Sequence, residues 1–323
     1  MADISTAGGH PVKKRMERKQ SLGTRLLKQW DIQLMVWPGI ILILVFAYLP
    51  MYGVLTGFMD YKLHTGANIF ANEWVGLNHI RMFFESPDFD RVIRNTLVIS
   101  LLKLLFGFPA PVLLALMLNE VRNMAFKRTV QTVTYLPHFL SWVVVGGIVA
   151  SLLSVDNGSI NMLLQRLGLI TEPLNFLSMS EYFWAILISS NVWKDIGFSS
   201  IVYLAAIASI DPHQYEAAQI DGASRLQQIR YITLPSIVPV VTIFLILAIG
   251  QLLNAGFEDI LLLANNPALR NVSDVVDVYV YRIGLQNYRY SYATAIGLFK
   301  ALISVGLLVM ANYAARRSGN SLW

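Results

Sequence analysis

The sequence lacks cysteine and carries little charge. With no cysteine among its 323 residues, the chain can form neither a disulfide bond nor a thiolate metal site. Its five histidines are scattered without metal-ligand spacing, and the phosphate loop ending in Gly-Lys-Ser/Thr, the Gly-x-Ser-x-Gly motif and the His-Glu-x-x-His motif are all missing. We therefore expect no catalytic residue, no metal site and no ATP hydrolysis by this chain.

Only 14% of the residues are charged, whereas soluble domains carry roughly a quarter. The hydrophobic share is 55%, and much of it lies in runs of the ~20 residues that a helix needs to cross a bilayer. Three runs are uncharged (32–59, 129–155 and 231–257). Three more (95–119, 183–209 and 293–315) are interrupted by Lys103, by Lys194 with Asp195, and by Lys300. Because backbone amides in lipid need internal partners, the sequence predicts an all-α integral membrane protein with six transmembrane helices.

Lysine and arginine are unevenly distributed across these spans. Fourteen lie in the N-terminal segment, in the loops near residues 122–128 and 225–230 and in the tail, against eight in the other loops. The positive-inside rule then predicts that both termini are cytoplasmic, in a bacterial inner membrane. This bias explains the net charge of +5 without a nucleic-acid partner. The first apolar run is also too long for a cleaved signal peptide.

These patterns predict three regions along the chain. Residues 1–32 form a cytoplasmic segment, in which residues 15–32 suit an amphipathic helix lying on the lipid bilayer. Residues 33–315 form the membrane domain, and residues 316–323 form a cytoplasmic tail. Loops 60–94, 156–182 and 258–292 lie on the outer side, as docking surfaces or as ordinary connectors.

The cytoplasmic loop over residues 211–234 has strong helix signals. Asp211 before Pro212 predicts a helix start, and Gln214 can complete a capping box. Gly222 predicts a left-handed C-terminal cap or a tight turn. A second helix over residues 223–232 is expected to end at Leu234-Pro235.

Two interpretations of this loop remain open from the residues alone. One is a connector lying flat on the membrane, and the other is a contact for a partner protein. Glu216 and Asp221 stand among alanines with no obvious pairing group in the chain, which favours a partner.

The segment Glu216-Ala217-Ala218 followed by Gly222 and by Ile232, Leu234 and Pro235 resembles the signature loop of the permease subunits of binding-protein-dependent ABC importers. The resemblance implies a type I permease fold whose coupling helices sit on an ATPase subunit. It implies that Glu216, Ala217, Ala218, Asp221 and Gly222 make that contact. The partners implied are an ATPase dimer that binds ATP and magnesium, a second permease subunit and a periplasmic solute-binding protein, with no cofactor in this chain.

The resemblance extends from about residue 94 to the C-terminus and points to the oligo- and polysaccharide branch, in particular to alginate-importer permeases. It is carried by residues 135–142, 256–259, 279–282 and 292–295. Many sugar permeases have Thr-Gly-Gly-Pro after the fifth span. This chain has Ala264-Asn265-Asn266-Pro267 instead, so a glycine turn is not expected there.

Charged and polar residues within spans are candidates for the substrate pathway, because burying them in the membrane is costly. Lys103, Lys194 and Lys300 against Asp195 predict an excess of positive charge and hence an acidic saccharide. Lysines that reach the interface, or that neutralise a neighbouring acid, are the alternative. Four uncharged candidates could hydrogen-bond or stack on sugar rings: Asn191, Trp193, Gln251 and Asn254. Helix–helix contacts are an equally ordinary role for them.

The sequence therefore predicts the permease subunit of an ATP-driven saccharide importer that works by alternating access. An ion-driven secondary transporter is the alternative, and it predicts a carboxylate-rich site in mid-membrane, where Asp195 is the only acid expected. An intramembrane enzyme would need a paired nucleophile and base, which the sequence does not offer.

Overall fold

The computed structural model describes residues 29–66 and 68–317, with Gly319 and Leu322. It divides into two units, one up to Gly53 and one from Val54, which are described separately. The amphipathic helix predicted over residues 15–32 lies outside the described residues except for its last four. Within the described residues every element is helical, apart from one isolated β-bridge between Met59 and Trp74.

The first unit is helical. Helix α1 (Trp30–Ile43) continues through a π-turn at Leu44–Tyr48 and a short turn at Leu49–Met51. None of the α1 side chains is buried, and its hydrophobic residues point in all directions. A helix that is apolar all round is typical of a membrane span.

The second unit contains the remaining helices, joined by short 3₁₀-turns and π-turns. They are α2 (Asn78–Phe84), α3 (Phe89–Leu102), α4 (Pro109–Glu120), α5 (Met124–Tyr135), α6 (Trp142–Leu153), α7 (Ser159–Arg166), α8 (Ser180–Ala208), α9 (Pro212–Ile220), α10 (Arg225–Gln228), α11 (Leu234–Gly250), α12 (Glu258–Leu263), α13 (Arg270–Ser273), α14 (Val276–Tyr281) and α15 (Tyr290–Arg316).

Four described helices are long and apolar enough to cross a membrane: Trp30–Phe58, Phe89–Glu120, Arg225–Gly250 and Tyr290–Arg316. Two further pairs qualify only together, because each is bent. Met124–Phe139 and Trp142–Leu153 meet at 108°, and Ser180–Ala208 and Pro212–Ile220 meet at 69°. The described residues therefore hold four spans, or six if each bent pair counts as one.

The prediction of one uninterrupted helix over residues 129–155 was wrong. The helix breaks at a 3₁₀-turn, Leu136–Phe139, that contains Pro137. Proline cannot donate the hydrogen bond that would continue the helix. Helix α6 then starts afresh after Ser141, whose hydroxyl accepts from the Val144 amide at 3.4 Å.

Three of the proline residues within continuous spans each lie two residues after a π-turn. The π-turns Leu44–Tyr48, Lys103–Gly107 and Ile229–Thr233 precede Pro50, Pro109 and Pro235. A proline clashes with the carbonyl four residues before it, and the wider turn gives the ring room. The sequence had predicted that a helix ends at Leu234-Pro235. That prediction was wrong, because the helix Arg225–Gly250 continues through both residues.

The second unit has three buried clusters. One joins α3, α8 and α12 through Ile99, Leu187 and Ile260. Another joins α2, α14 and α15 around Phe83, Tyr279 and Ile296. The third lies towards the 211–234 loop, where α4, α8 and α11 meet at Ala115, Tyr203 and Ile237.

Candidate functional site

The loop over residues 211–234 forms two capped helices. Asp211 caps α9 by accepting a hydrogen bond from the His213 amide at 3.0 Å, with Pro212 in the first helical position. The capping box lies elsewhere than predicted. Instead of Gln214 at α9, Gln227 of α10 pairs reciprocally with Ser224.

Gly222 ends α9 as a left-handed cap, which confirms the first of the two predicted alternatives. Its φ is +77°, a conformation that side chains disfavour. The Gly222 amide donates to the Gln219 carbonyl at 3.1 Å, and the Ala223 amide donates to the Ala218 carbonyl at 2.8 Å. This pair of bonds is the Schellman motif, so the sharp turn between α9 and α10 depends on glycine.

The surface of this loop combines charge with exposed hydrophobic side chains. Glu216, Ala217 and Asp221 are exposed, and Ala218 is half-buried. The sequence had suggested that Glu216 has no pairing group in the chain. The structure corrects this, because His213 Nδ1 lies 3.3 Å from the Glu216 carboxylate. The sequence analysis also missed Ile220 and Leu226, which are 87% and 75% exposed. Exposed apolar residues on a capped helix pair are typical of a protein-binding surface.

Two contacts join the helices of this loop to neighbouring elements. The Tyr215 hydroxyl lies 2.9 Å from the Thr233 hydroxyl, and Thr233 is buried in the π-turn before α11. At the start of α10, Arg225 forms an ion pair of 3.2 Å with Glu120 at the end of α4. These contacts join α9 to the turn before α11, and α10 to the end of α4.

Lys194, in the middle of α8, is buried at 7% exposure. Its Nζ donates to the His138 carbonyl at 2.6 Å and lies 5.7 Å from the centre of the Trp142 ring. Asp195 contacts a different group, since its carboxylate lies 2.9 Å from His138 Nδ1. Among the described residues no carboxylate lies within ion-pair distance of Lys194. This lysine therefore holds the broken α5–α6 span against α8 through neutral groups.

Lys103 and Lys300 do have carboxylate partners, which corrects the predicted excess of positive charge. Lys103 Nζ lies 2.5 Å from Asp259, and Lys300 forms an ion pair with Asp277. The sequence placed both aspartates in an outer loop. Their helices α12 and α14 instead pack beside the spans, because a lysine in a low-dielectric region needs a counter-charge.

The uncharged candidates fall into two groups. Gln251 and Asn254, hydrogen-bonded to each other, line a cavity of ≈ 260 Å³ together with Lys103. Asn191 does not line this cavity, but it donates at 3.0 Å to Asp259, the ion-pair partner of Lys103. Trp193 instead lines an apolar groove of ≈ 930 Å³ between α8 and α3–α4, so the structure does not bring it to the other three.

Sequence analysis missed a buried charge cluster around Asp274, whose side chain is fully buried. Arg282 donates to both of its carboxylate oxygens at 2.8 Å, and Arg91 of α3 donates at 3.0 Å. No motif indicates this pairing, because the three residues are up to 191 positions apart in the sequence. The cluster joins the start of α3 to the segments that follow α13 and α14.

The Ala264-Asn265-Asn266-Pro267 segment shows what replaces the glycine turn. Asn266 caps the turn Pro267–Leu269 by accepting from the Ala268 amide at 3.0 Å. Its amide nitrogen donates to the Ser178 hydroxyl at 3.0 Å. Asn266 therefore links two of the loops that the sequence assigned to the outer side.

Comparison with known proteins identifies the architecture. A family model described as the inner membrane component of binding-protein-dependent transport systems matches residues 107–320, well over half of the chain. The chain belongs to this family. The permease is thus a multi-pass inner membrane protein, in a family of transporter components rather than catalysts.

Individual relatives agree with this assignment. The permease is 45% identical over 305 residues, 94% of each chain, to the polygalacturonan/rhamnogalacturonan transport system permease protein YteP of Bacillus subtilis (strain 168). It is 44% identical over 286 residues, 88% of each chain, to protein LplB of the same organism.

A solved structure of a bacterial alginate ABC transporter, in complex with its alginate pentasaccharide-bound periplasmic protein, contains a similar chain. The TM-score is 0.85 at 44% identity, covering 94% of this chain and 99% of that chain. The predicted type I permease fold and the resemblance to alginate-importer permeases are thereby confirmed.

Proposed function

We propose that this chain is the permease subunit of an ATP-driven importer that carries an acidic oligo- or polysaccharide into the cytoplasm by alternating access. It works with an ATPase dimer, a second permease subunit and a solute-binding protein. Its two termini lie in the cytoplasm, as the distribution of basic residues indicates. Family membership favours this function over an ion-driven transporter.

The observation that carries the proposal is the capped α9–α10 pair. Ile220 and Leu226 give the ATPase an apolar contact, and Glu216 and Asp221 give it charge. The hydrogen bond between Tyr215 and Thr233 transmits movement of the ATPase to α11. The spans then rock between outward-facing and inward-facing states as rigid bodies.

An acidic substrate is supported by two independent lines. One similar protein belongs to an importer of alginate, and another is a permease for polygalacturonan. Both of these polysaccharides are polymers of uronic acids. In this chain Lys194 is buried beside Trp142 without a carboxylate partner among the described residues. Holding an ammonium in mid-membrane costs ~2.5–3.5 kcal/mol on insertion scales, so a passing carboxylate stabilises it.

The test is transport by the full complex, with its ATPase, second permease and binding protein, in proteoliposomes. Alginate oligosaccharides should stimulate ATP hydrolysis and enter the vesicles. Lys194→Met keeps the apolar stem, and it should reduce uptake of the acidic oligosaccharide more than uptake of a neutral one of equal length. Equal loss for both would show that Lys194 is structural, and no stimulation of the wild-type complex by uronates would refute the acidic substrate.

A further inference from the structure

The cavity beside Lys103 is polar, although it lies between the spans α3 and α11. Ser100, Lys103, Gln251 and Asn254 line it together with the apolar Leu104, Phe108, Ala248 and Leu252. Its ≈ 260 Å³ is close to the lower end of small-molecule sites, about 300 Å³. Polar side chains within spans face protein or water and not lipid, so these side chains mark a surface turned away from lipid.

One group in this cavity lacks a partner. Ser100 is 5% exposed, and among the described residues its hydroxyl has no hydrogen-bond partner. Buried hydroxyls are nearly always bonded to protein or to ordered molecules. Ser100 therefore places a buried polar group with unused hydrogen-bonding capacity beside the cavity.

Lys103 faces the cavity, whereas its counter-ion does not. The Lys103 side chain is 21% exposed and lines the cavity, and the Asp259 side chain is 5% exposed and lies behind it. Lys103 and Asn191 donate to the same oxygen, Asp259 Oδ2, at 2.5 and 3.0 Å. An ammonium has three donor hydrogens, and Asp259 takes one of them.

Gly256 leaves room for this pair. Its φ is +122°, and a Cβ at this position would lie 2.3 Å from the Asp259 carboxylate and 2.7 Å from Lys103 Nζ. Only glycine allows the backbone to pass so close to the ion pair. The backbone at Gly256 therefore passes directly beside the ion pair.

We propose that Lys103 is the charge-selective contact for the saccharide carboxylate in this cavity, and that Asp259 is an internal competitor that keeps the contact weak. The inference rests on the proposed transport of an acidic saccharide. With Asp259 ionised, Lys103 binds a carboxylate only weakly, because the pair is nearly neutral. A transporter needs this weakness, since a site that binds too tightly does not release its substrate.

Removing the charge of Lys103 and removing the charge of Asp259 should therefore have opposite effects on saccharide binding. A purely structural salt bridge would not produce opposite effects. Lys103→Met should weaken binding of an alginate tetrasaccharide about tenfold and leave its carboxyl-reduced counterpart unaffected. Asp259→Asn should strengthen binding of the acidic tetrasaccharide about tenfold, because the removed charge lies within a few ångströms at reduced dielectric. Binding is measured by saturation-transfer NMR on the full complex in nanodiscs.

Lys300 and Asp277 supply the matched control, since they form a similar ion pair but do not line this cavity. Lys300→Met and Asp277→Asn should not change the preference between the two tetrasaccharides. The double variant Lys103→Met/Asp259→Asn buries no unpaired charge, and its preference for the acidic tetrasaccharide should fall clearly below that of wild type even if the single lysine variant fails to assemble.

Two results would overturn the inference: weaker acidic binding in Asp259→Asn, or an unchanged acidic preference in the double variant. Failure of the proposed function looks different. In that case the wild-type complex shows no uronate-stimulated ATP hydrolysis, whatever the variants do.

Discussion

At the scale of single residues, the permease depends on glycines at two kinds of position. Gly222 adopts a positive φ at the end of α9 with open space around it, so its role is conformational. Gly197 has an ordinary helical φ, but a Cβ there would lie 2.1 Å from the Thr134 carbonyl oxygen. Its role is to let α8 and α5 pack closely, next to Lys194 and His138.

Gly222→Val should disrupt the turn between α9 and α10. A left-handed conformation costs a side chain roughly 1–2 kcal/mol, and a β-branched one more. The complex should remain in the membrane, but stimulation of ATP hydrolysis by the loaded binding protein should fall several-fold. Gly222→Asn is the matched control, because asparagine tolerates this conformation. Equal activity of both variants would contradict a conformational role for Gly222.

Gly197→Ala should lower the thermal unfolding temperature of the purified permease complex. The added methyl group forces the α5 backbone away from α8, and overpacking of this kind costs typically 1–3 kcal/mol. Gly147→Ala in α6 is the control, since no atom lies within 4 Å of its new Cβ. An unchanged unfolding temperature in Gly197→Ala would mean that the two helices are less closely packed than described.

At the scale of elements, proline and π-turns act together. Pro50, Pro109 and Pro235 each follow a π-turn by two residues, so the helix continues past them. Thr233, in the third of these turns, contacts Tyr215 of α9. The irregular turn is therefore also the place where the 211–234 loop is attached.

Tyr215→Phe removes only the hydroxyl that contacts Thr233. One hydrogen bond contributes roughly 0.5–1.5 kcal/mol, so folding should survive. ATP hydrolysis should persist in the assembled complex but depend less on the substrate-loaded binding protein, because α9 no longer moves α11. Tyr231→Phe is the control, since Tyr231 is 68% exposed in the same loop region. Identical coupling in Tyr215→Phe and wild type would exclude this contact from the transmission.

At the scale of the whole molecule, the basic residues and two contacts support the predicted sidedness of the loops. Asn266 bonds to Ser178, so loops 156–182 and 258–292 lie on one side. Arg225 pairs with Glu120, so the 211–234 loop lies beside the turn after α4. The lengths of α8 and α11 separate loops 156–182 and 258–292 from the 211–234 loop.

Reporter fusions test this sidedness in the membrane. Fusions at Ser178 and Asn266 should report the periplasm, and fusions at Met124 and Gln227 should report the cytoplasm, because the second set lies on the basic side. Alkaline phosphatase and a fluorescent protein provide opposite readouts at each site. A cytoplasmic signal at Asn266 would show that the order of the spans is wrong.

Local patterns were sufficient to predict much of this protein. Long apolar runs are strong signals because lipid leaves the backbone no alternative to the helix, and the Gly222 cap depends on one residue type in one conformation. The six predicted runs and the turn between α9 and α10 were therefore recognisable without a structure.

Only the tertiary structure decided which charges meet and where the helices bend. Asp259 and Asp277 lie in segments that read as outer loop, yet they neutralise Lys103 and Lys300 within the membrane region. The break at Leu136–Phe139 and the continuation through Pro235 depend on the packing of neighbouring helices and on π-turns. The physical reason is that ion pairs and proline turns in a membrane are set by contacts between distant segments, which no local pattern records.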